Sequence, residues 1–249
     1  MAKVRYEEML PHEVVSAREK CPIAYVPIGG IEWHGEHNCL GLDTVKAHAL
    51  AMRCAEQGGG LAFPALFWGE NRETHLMEAN HDLEGKIAEK MRLPRENFAP
   101  GYMHRAADQQ DHAYVDLLVH IMHELQSLGF RVIVLIAGHY PLLRHARAAV
   151  ELYSLDGKAK AWAVTGYELV RDQIPDAGDH AAAWETSLMM ALRPELVDLS
   201  VLPKDMSIPL IGVNGRDPRT KASVEYGQRG VKAVVDAIVA GAHKLLPKE

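Results

Sequence analysis

The chain predicts an α/β protein with a mostly parallel central sheet covered by helices on both faces. Three observations carry this. Apolar runs at 23–28 and 131–137 have the nearly unbroken hydrophobic character of strands buried on both sides. Each run ends in glycine, Gly29-Gly30 and Gly138, where the backbone can turn. Helical patterns lie between the runs, and strand–helix alternation is the pattern of a parallel sheet.

Taken in order, 23–28 is the first strand. Asp43-Thr44 then opens a helical pattern through Ala47, Leu50, Ala51 and Cys54, stopped by Gly58-Gly59-Gly60. A second strand is expected at 61–67. Residues 68–110 sustain no period, apart from a short helix expected at 83–91, and so long an irregular stretch marks a functional or a disordered segment. An amphipathic helix at 111–128 carries Val115, Leu118, Val119, Met122 and Leu125 and stops at Gly129. The run 131–137 is the third strand, and Pro141 suits the start of a helix reaching Tyr153. A fourth strand at 160–165, a helix at 181–192 and a last helix at 226–246 complete the pattern. No repeat, low-complexity segment or linker interrupts it, so 1–249 is expected to be one domain.

Composition narrows the function. The 249 residues are 48% hydrophobic, enough for a substantial core, and the net charge is -6. Without a basic stripe, nucleic acid is not an expected partner. No apolar run approaches the ~20 residues that cross a membrane. The first eight residues lack an apolar signal region. Cys21, Cys39 and Cys54 form no CxxC pair and read as reduced thiols, so a cytoplasmic protein is expected. Cys39 is either a small buried thiol or a metal contact.

Chemistry concentrates in three places. The first is Gly29-Gly30-Ile31-Glu32-Trp33-His34-Gly35-Glu36-His37, closed by Asp43. It follows a buried strand, and open α/β sheets place their sites at carboxyl ends of strands. Glu, His and Asp together form the ligand set of a borderline metal such as zinc, manganese or iron. Glu32 and His34 share a face if the strand persists. Asp43 either caps the following helix or holds a metal. The second is His139, just beyond the strongest apolar run. The third is Asp179-His180-Ala181-Ala182-Ala183-Trp184-Glu185-Thr186-Ser187, which also reads as a plain helix start. Asp179 either orients His180 or caps that helix.

Other residues stay open. Trp68, Glu70 and His75 follow the second strand and could line a pocket. His81, His104 and His112 fit a lid, a subunit contact or an extra metal site. His120 and His123 read as surface or interface positions. Arg216 and Arg219 bind an anionic group or pair with local acids.

The motif around Glu32, His34, His37 and Asp43, the Gly138-His139-Tyr140 turn, and His180 followed by Glu185-Thr186-Ser187 occur in an order that resembles the creatininase (creatinine amidohydrolase) family. The segment 212–227 is similar to that family's late conserved region. The likeness is weakest at 76–111, where a His- and Met-rich segment replaces the family's Gly-rich loop. The resemblance implies a three-layer α/β sandwich and hydrolysis of C–N bonds in small cyclic amides, formamides or peptides. It implies one or two divalent ions, zinc first and manganese or iron as alternatives. Glu32, Asp43 and His139 would bind the first ion; His34 and the bridging Asp43 would bind the second. His180 would shuttle the proton, and Tyr140 matches the creatininase-type tyrosine; Trp68 and His75 join it as substrate-contacting residues by their place after the second strand, and Glu185, by its place in the third motif, is a catalytic, supporting or ligating carboxylate. A homo-oligomer, a hexamer in many members, is implied too.

One position departs from the family. Creatininase carries a second-metal Glu two residues after its strand-end His, and here that residue is Pro141. The expected activity is therefore a metal-dependent amidohydrolase on a small cyclic amide. The alternatives are a formamide hydrolase or amidase of a cofactor pathway, and a catalytically silent metal-binding member. A phosphoesterase is disfavoured, since nothing resembles a phosphate cradle.

Overall fold

The structure, a computed structural model, describes residues 3–82 and 84–247. Leu83, first residue of the helix expected at 83–91, lies outside the described residues, as do Met1 and Ala2 of the amino-terminal segment. Four strands, β1 (Ile23–Ile28), β2 (Leu61–Ala62), β3 (Val132–Ala137) and β4 (Lys160–Val164), form a parallel sheet in the order β2-β1-β3-β4. The α-helices among the described residues are α1 (Pro11–Lys20), α2 (Leu42–Gly58), α3 (Met77–Asn80), α4 (Lys86–Met91), α5 (Ala107–Ser127), α6 (Leu142–Tyr153), α7 (Gly166–Val170), α8 (Ala183–Leu192), α9 (Pro218–Lys221) and α10 (Val224–Lys244).

Strand periodicity sorts the core into two layers, one on each side of the sheet. Ile23 and Tyr25 of β1, with Val132, Val134 and Ile136 of β3, pack on α2, α8 and α10 through Leu50, Trp184, Leu188, Val234 and Ile238. The alternate residues Ala24, Val26, Ile28, Ile133 and Leu135 pack on α5 and α6 through Leu118, Met122, Leu142 and Ala146. Each fully buried aliphatic side chain contributes roughly 1.5–3 kcal/mol, so the two layers carry most of the stability. This is the three-layer α/β sandwich the sequence predicts.

Several elements differ from expectation. The second strand stops at Ala62; past the Phe63 N–H bond to the Tyr25 carbonyl, the chain meets β1 again at the Ile28–Leu66 bridge. Pro64 lies between and has no N–H to give to a ladder. Helix α1 carries no sequence signal of apolar periodicity and buries no residue fully; the Glu13 carboxylate closes its start by accepting the Leu10 N–H at 2.8 Å. Helix α8 begins at Ala183 rather than at 181 because Ala181 sits at φ +54, outside helical backbone.

The sheet brings the first two chemistry-bearing segments together. Ile28 and Ala137 are register partners, so β1 and β3 release their next residues side by side. The first turn of α2 rests on both exits. A Cβ on Gly29 would stand 2.7 Å from the Thr44 nitrogen, and one on Gly138 would stand 1.9 Å from the Asp43 carbonyl oxygen. Only glycine allows that approach. Gly138→Ala is expected to lower unfolding free energy by at least about 2 kcal/mol through overpacking, measured by urea denaturation. An unchanged midpoint would mean that α2 is free to move off the strand end.

Candidate metal centre

Beyond β1 the chain leaves the sheet and folds into a closed loop, with the Glu32 N–H bonded to the Leu40 carbonyl at 3.0 Å. Glu32 and His34 therefore converge through a loop and not through a continued strand. Glu32 Oε1 accepts the Met77 N–H at 2.6 Å, which turns Oε2 inward. That oxygen lies 3.0 Å from His139 Nδ1, 3.9 Å from His180 Nδ1 and 4.0 Å from His34 Nε2. His34 donates from Nδ1 to the Glu32 carbonyl at 3.1 Å, leaving Nε2 aimed at carboxylates.

Asp43 divides the cluster in two. Its Oδ2 lies 2.9 Å from His139 Nδ1, while Oδ1 lies 3.3 Å from His34 Nε2 and 3.3 Å from Lys46 Nζ. Two sets of three donors result: Glu32, Asp43 and His139, and His34, Asp43 and Glu185. A third set, Glu32, His34 and His180, overlaps both. Two ligands tetrahedrally placed about one zinc ion lie about 3.4 Å apart, close to these separations. Buried Glu32 Oε2, His34 Nε2 and His139 Nε2 have no hydrogen-bond partner.

The third motif closes the cluster. The Asp179 carboxylate accepts the N–H groups of Trp184 at 2.7 Å and Glu185 at 3.1 Å, so it caps α8. His180 instead gives its Nε2 proton to the Trp33 carbonyl at 2.8 Å. The left-handed Ala181 is held by its N–H bond to Glu185 Oε2 at 2.9 Å. Glu185 Oε1 is hydrogen-bonded to Lys46, and Oε2 lies 3.7 Å from His34 Nε2. His34 and His180 stack with ring centroids 4.4 Å apart. His180 keeps 19% side-chain exposure where Glu32, His34, Asp43 and His139 are within 3% of fully buried.

Electrostatics reflect this packing. Burial opposes charge on Asp43, yet His34 and Lys46 outweigh it and hold the carboxyl well below its usual range. Burial likewise opposes ionisation of Glu32, and His139 overcomes it. The carboxylates draw protons onto their neighbours: against burial, Asp43 lifts His34 to about 9 and Glu32 lifts His139 to about 10. His180 goes the other way, lowered by burial and by His34. Burial and the Glu185 charge push Asp179 up to about 7.

Other expected site residues lie apart. Trp68 is 65% exposed and borders a surface cavity of about 360 Å³ with Arg72, His104 and Tyr114. His75 belongs to a separate donor set with Asp111 and His145, whose Nε2 lies 3.1 Å from Asp111 Oδ1. Tyr140, by contrast, borders the cluster: its ring centroid lies 4.8 Å from Lys46 Nζ, and the ring packs on Tyr167, centroids 4.6 Å apart. His81, His104, His112 and Cys39 join no donor set among the described residues. Arg216 pairs with Asp176 at 2.9 Å and Arg219 with Asp217 at 2.6 Å. Lys46 escaped the sequence reading, although three residues after Asp43 it stands on the same helical face. The same holds for Glu78, which accepts the Trp33 N–H at 3.1 Å, and for Arg72, which pairs with Glu70 at 3.2 Å.

An α/β sandwich with acidic and imidazole donors converging beyond two adjacent strand ends has the layout of a metal-assisted hydrolase. The family model described as creatinine amidohydrolase matches residues 7–93 and 107–241, and the chain belongs to the creatininase family. It is similar to a creatinine amidohydrolase from Pseudomonas putida, 27% identical over 194 residues. That match covers 71% of this chain and 66% of the relative, just short of two thirds of the relative's length. Among solved structures it is similar to a creatinine amidohydrolase (creatininase), TM-score 0.73 and 21% identity, with all of both chains covered. It is also similar to a creatininase described as a manganese form, TM-score 0.72 and 22% identity over 98% of this chain and 100% of that one.

His37 stands outside the donor sets. Its Nε2 lies 3.0 Å from Thr186 Oγ1, whose hydroxyl donates to the Ala181 carbonyl, and 3.1 Å from Asn38 Nδ2. Burial pushes its pKa down from 6.5 to about 4. The folded protein therefore keeps His37 neutral while the unfolded chain takes up a proton. Its stabilisation is complete above about pH 6.5 and is lost as pH falls through that value towards 4. Between pH 7 and pH 5 urea unfolding should lose about 1–2 kcal/mol through this residue, and His37→Gln should show a shallower decline. Parallel pH profiles for the two proteins would contradict that.

Proposed function

We propose that this protein is a metal-dependent amidohydrolase that cleaves a C–N bond of a small cyclic amide, creatinine or a related compound. The observation that carries the proposal is Asp43, buried between two donor sets with one oxygen turned to each. The donor chemistry fits a divalent ion: carboxylate and imidazole groups suit zinc and manganese, and Glu32 Oε2 is a buried anionic atom that lacks a hydrogen bond. Glu32, Asp43 and His139 would hold the ion. When bound, it supplies Lewis-acid chemistry, acidifying water and polarising a carbonyl oxygen.

The remaining work falls to the chain's own side chains. His180 is fixed by its Nε2 bond to the Trp33 carbonyl, which leaves Nδ1 free of a proton and facing the cluster. Its lowered pKa keeps it neutral near pH 7. Nδ1 takes the proton of the attacking water and passes it to the leaving nitrogen as the C–N bond breaks. Met77 fixes Glu32 through its backbone N–H, and the Glu32 carbonyl fixes His34, so both keep one orientation. Trp33, Met77 and Ile87 form an apolar cluster beside the site that limits water. The free Cys21, Cys39 and Cys54 suit a reducing cytoplasm. No helix among the described residues is long and apolar enough to cross a membrane.

The test uses zinc- or manganese-loaded protein on creatinine, other cyclic amides and formamides. Asp43→Ala should lose metal and activity together. His180→Ala should keep its metal, measured by elemental analysis, and lose about 10²–10⁴-fold in kcat. Normal turnover by His180→Ala would remove its proton-transfer role, and inertness of every metal form would overturn the amidohydrolase reading.

A further inference from the structure

Lys46 is a lysine where a helix packed on the core would ordinarily place an apolar residue. It is 3% exposed. Its ammonium lies 3.3 Å from Asp43 Oδ1, is hydrogen-bonded to Glu185 Oε1, and sits 4.8 Å from the Tyr140 ring centroid. Asp43 and Glu185 are two of the three donors of the set completed by His34. That set therefore already holds a cation carried by the chain itself. We infer that the Lys46 ammonium takes the place of a second divalent ion, and that the centre binds one ion, between Glu32, Asp43 Oδ2 and His139. The inference rests on the metal-dependent reading given above.

Charge balance supports it. Glu32, Asp43 and Glu185 bring three negative charges, and Lys46 brings one positive charge. A divalent ion between Glu32, Asp43 and His139 meets the carboxylate oxygens turned to that side, while Lys46 already stands against Asp43 Oδ1 and Glu185. Two ions beside the ammonium would leave excess positive charge buried where little water reaches, which is costly. Glu70 and Glu78 do not supply the balance, because both already face Arg72, at 3.2 Å and 3.4 Å. Pro141 brings no donor to this end of the cluster. His34 then serves as a positioning residue, its Nε2 facing Asp43 Oδ1 and Glu185 Oε2, and not as a ligand.

Zinc-loaded crystals of the full chain, with anomalous scattering recorded at the zinc edge, give both the number and the place of the ions. Location separates the centre from any zinc on His75, Asp111 and His145. The expected map has one peak among Glu32, Asp43 and His139, and none between Asp43 and Glu185. Lys46→Met, nearly the same length without the charge, should gain the second peak, and Lys46→Arg should keep one. Two peaks at the wild-type centre would overturn this inference and leave the metal-dependent reading standing. No peak there would overturn both. A single peak in Lys46→Met would overturn the role given to the ammonium. If that variant fails to fold, the wild-type map alone supports or overturns the single-ion centre.

Discussion

A carboxylate taken out of water is costly unless cations or donors are set against it. Asp43 is 2% exposed and lies in the first turn of α2, where the helix dipole favours negative charge. His139 touches one of its oxygens, and His34 and Lys46 touch the other. Its position is set by backbone contact, since Gly29 and Gly138 let the start of α2 settle on the ends of β1 and β3. Packing thus fixes the carboxylate first, and the charges around it answer that placement.

From this one residue the centre takes its asymmetry. The side facing Glu32 and His139 gathers anionic and imidazole atoms with an unpartnered carboxylate oxygen, a bonding need that a hard or borderline cation satisfies. The side facing Glu185 is already neutralised by an ammonium tethered one turn along the same helix. His180 belongs to neither side. Its exposure, its bond to Trp33 and its lowered pKa suit the proton-transfer role proposed for it.

Much of the sandwich was legible in the sequence because its two central strands are buried on both faces and so appear as unbroken apolar runs. Glu32, His34, Asp43, His139 and His180 could be picked out because each follows a strand end or opens a helix, and the structure brings them within one cluster. Other features depend on tertiary placement. The edge strand ends early because Pro64 cannot donate, and α8 starts late because Ala181 turns left-handed under the hold of Glu185. His75 and Trp68 follow β2 in sequence, but the loop carries them to different surroundings. Lys46 looks like an ordinary polar helix residue until Glu185, 139 residues away, is packed against it.

In the single-ion proposal the two oxygens of Asp43 serve two different cations, a divalent ion and the Lys46 ammonium. X-ray absorption fine structure of the zinc-saturated protein tests this directly. The expected spectrum has a nitrogen and oxygen shell at about 2.0–2.2 Å and no zinc–zinc scattering. A zinc–zinc shell at about 3.5–4 Å, the spacing of two-metal sites, would contradict it.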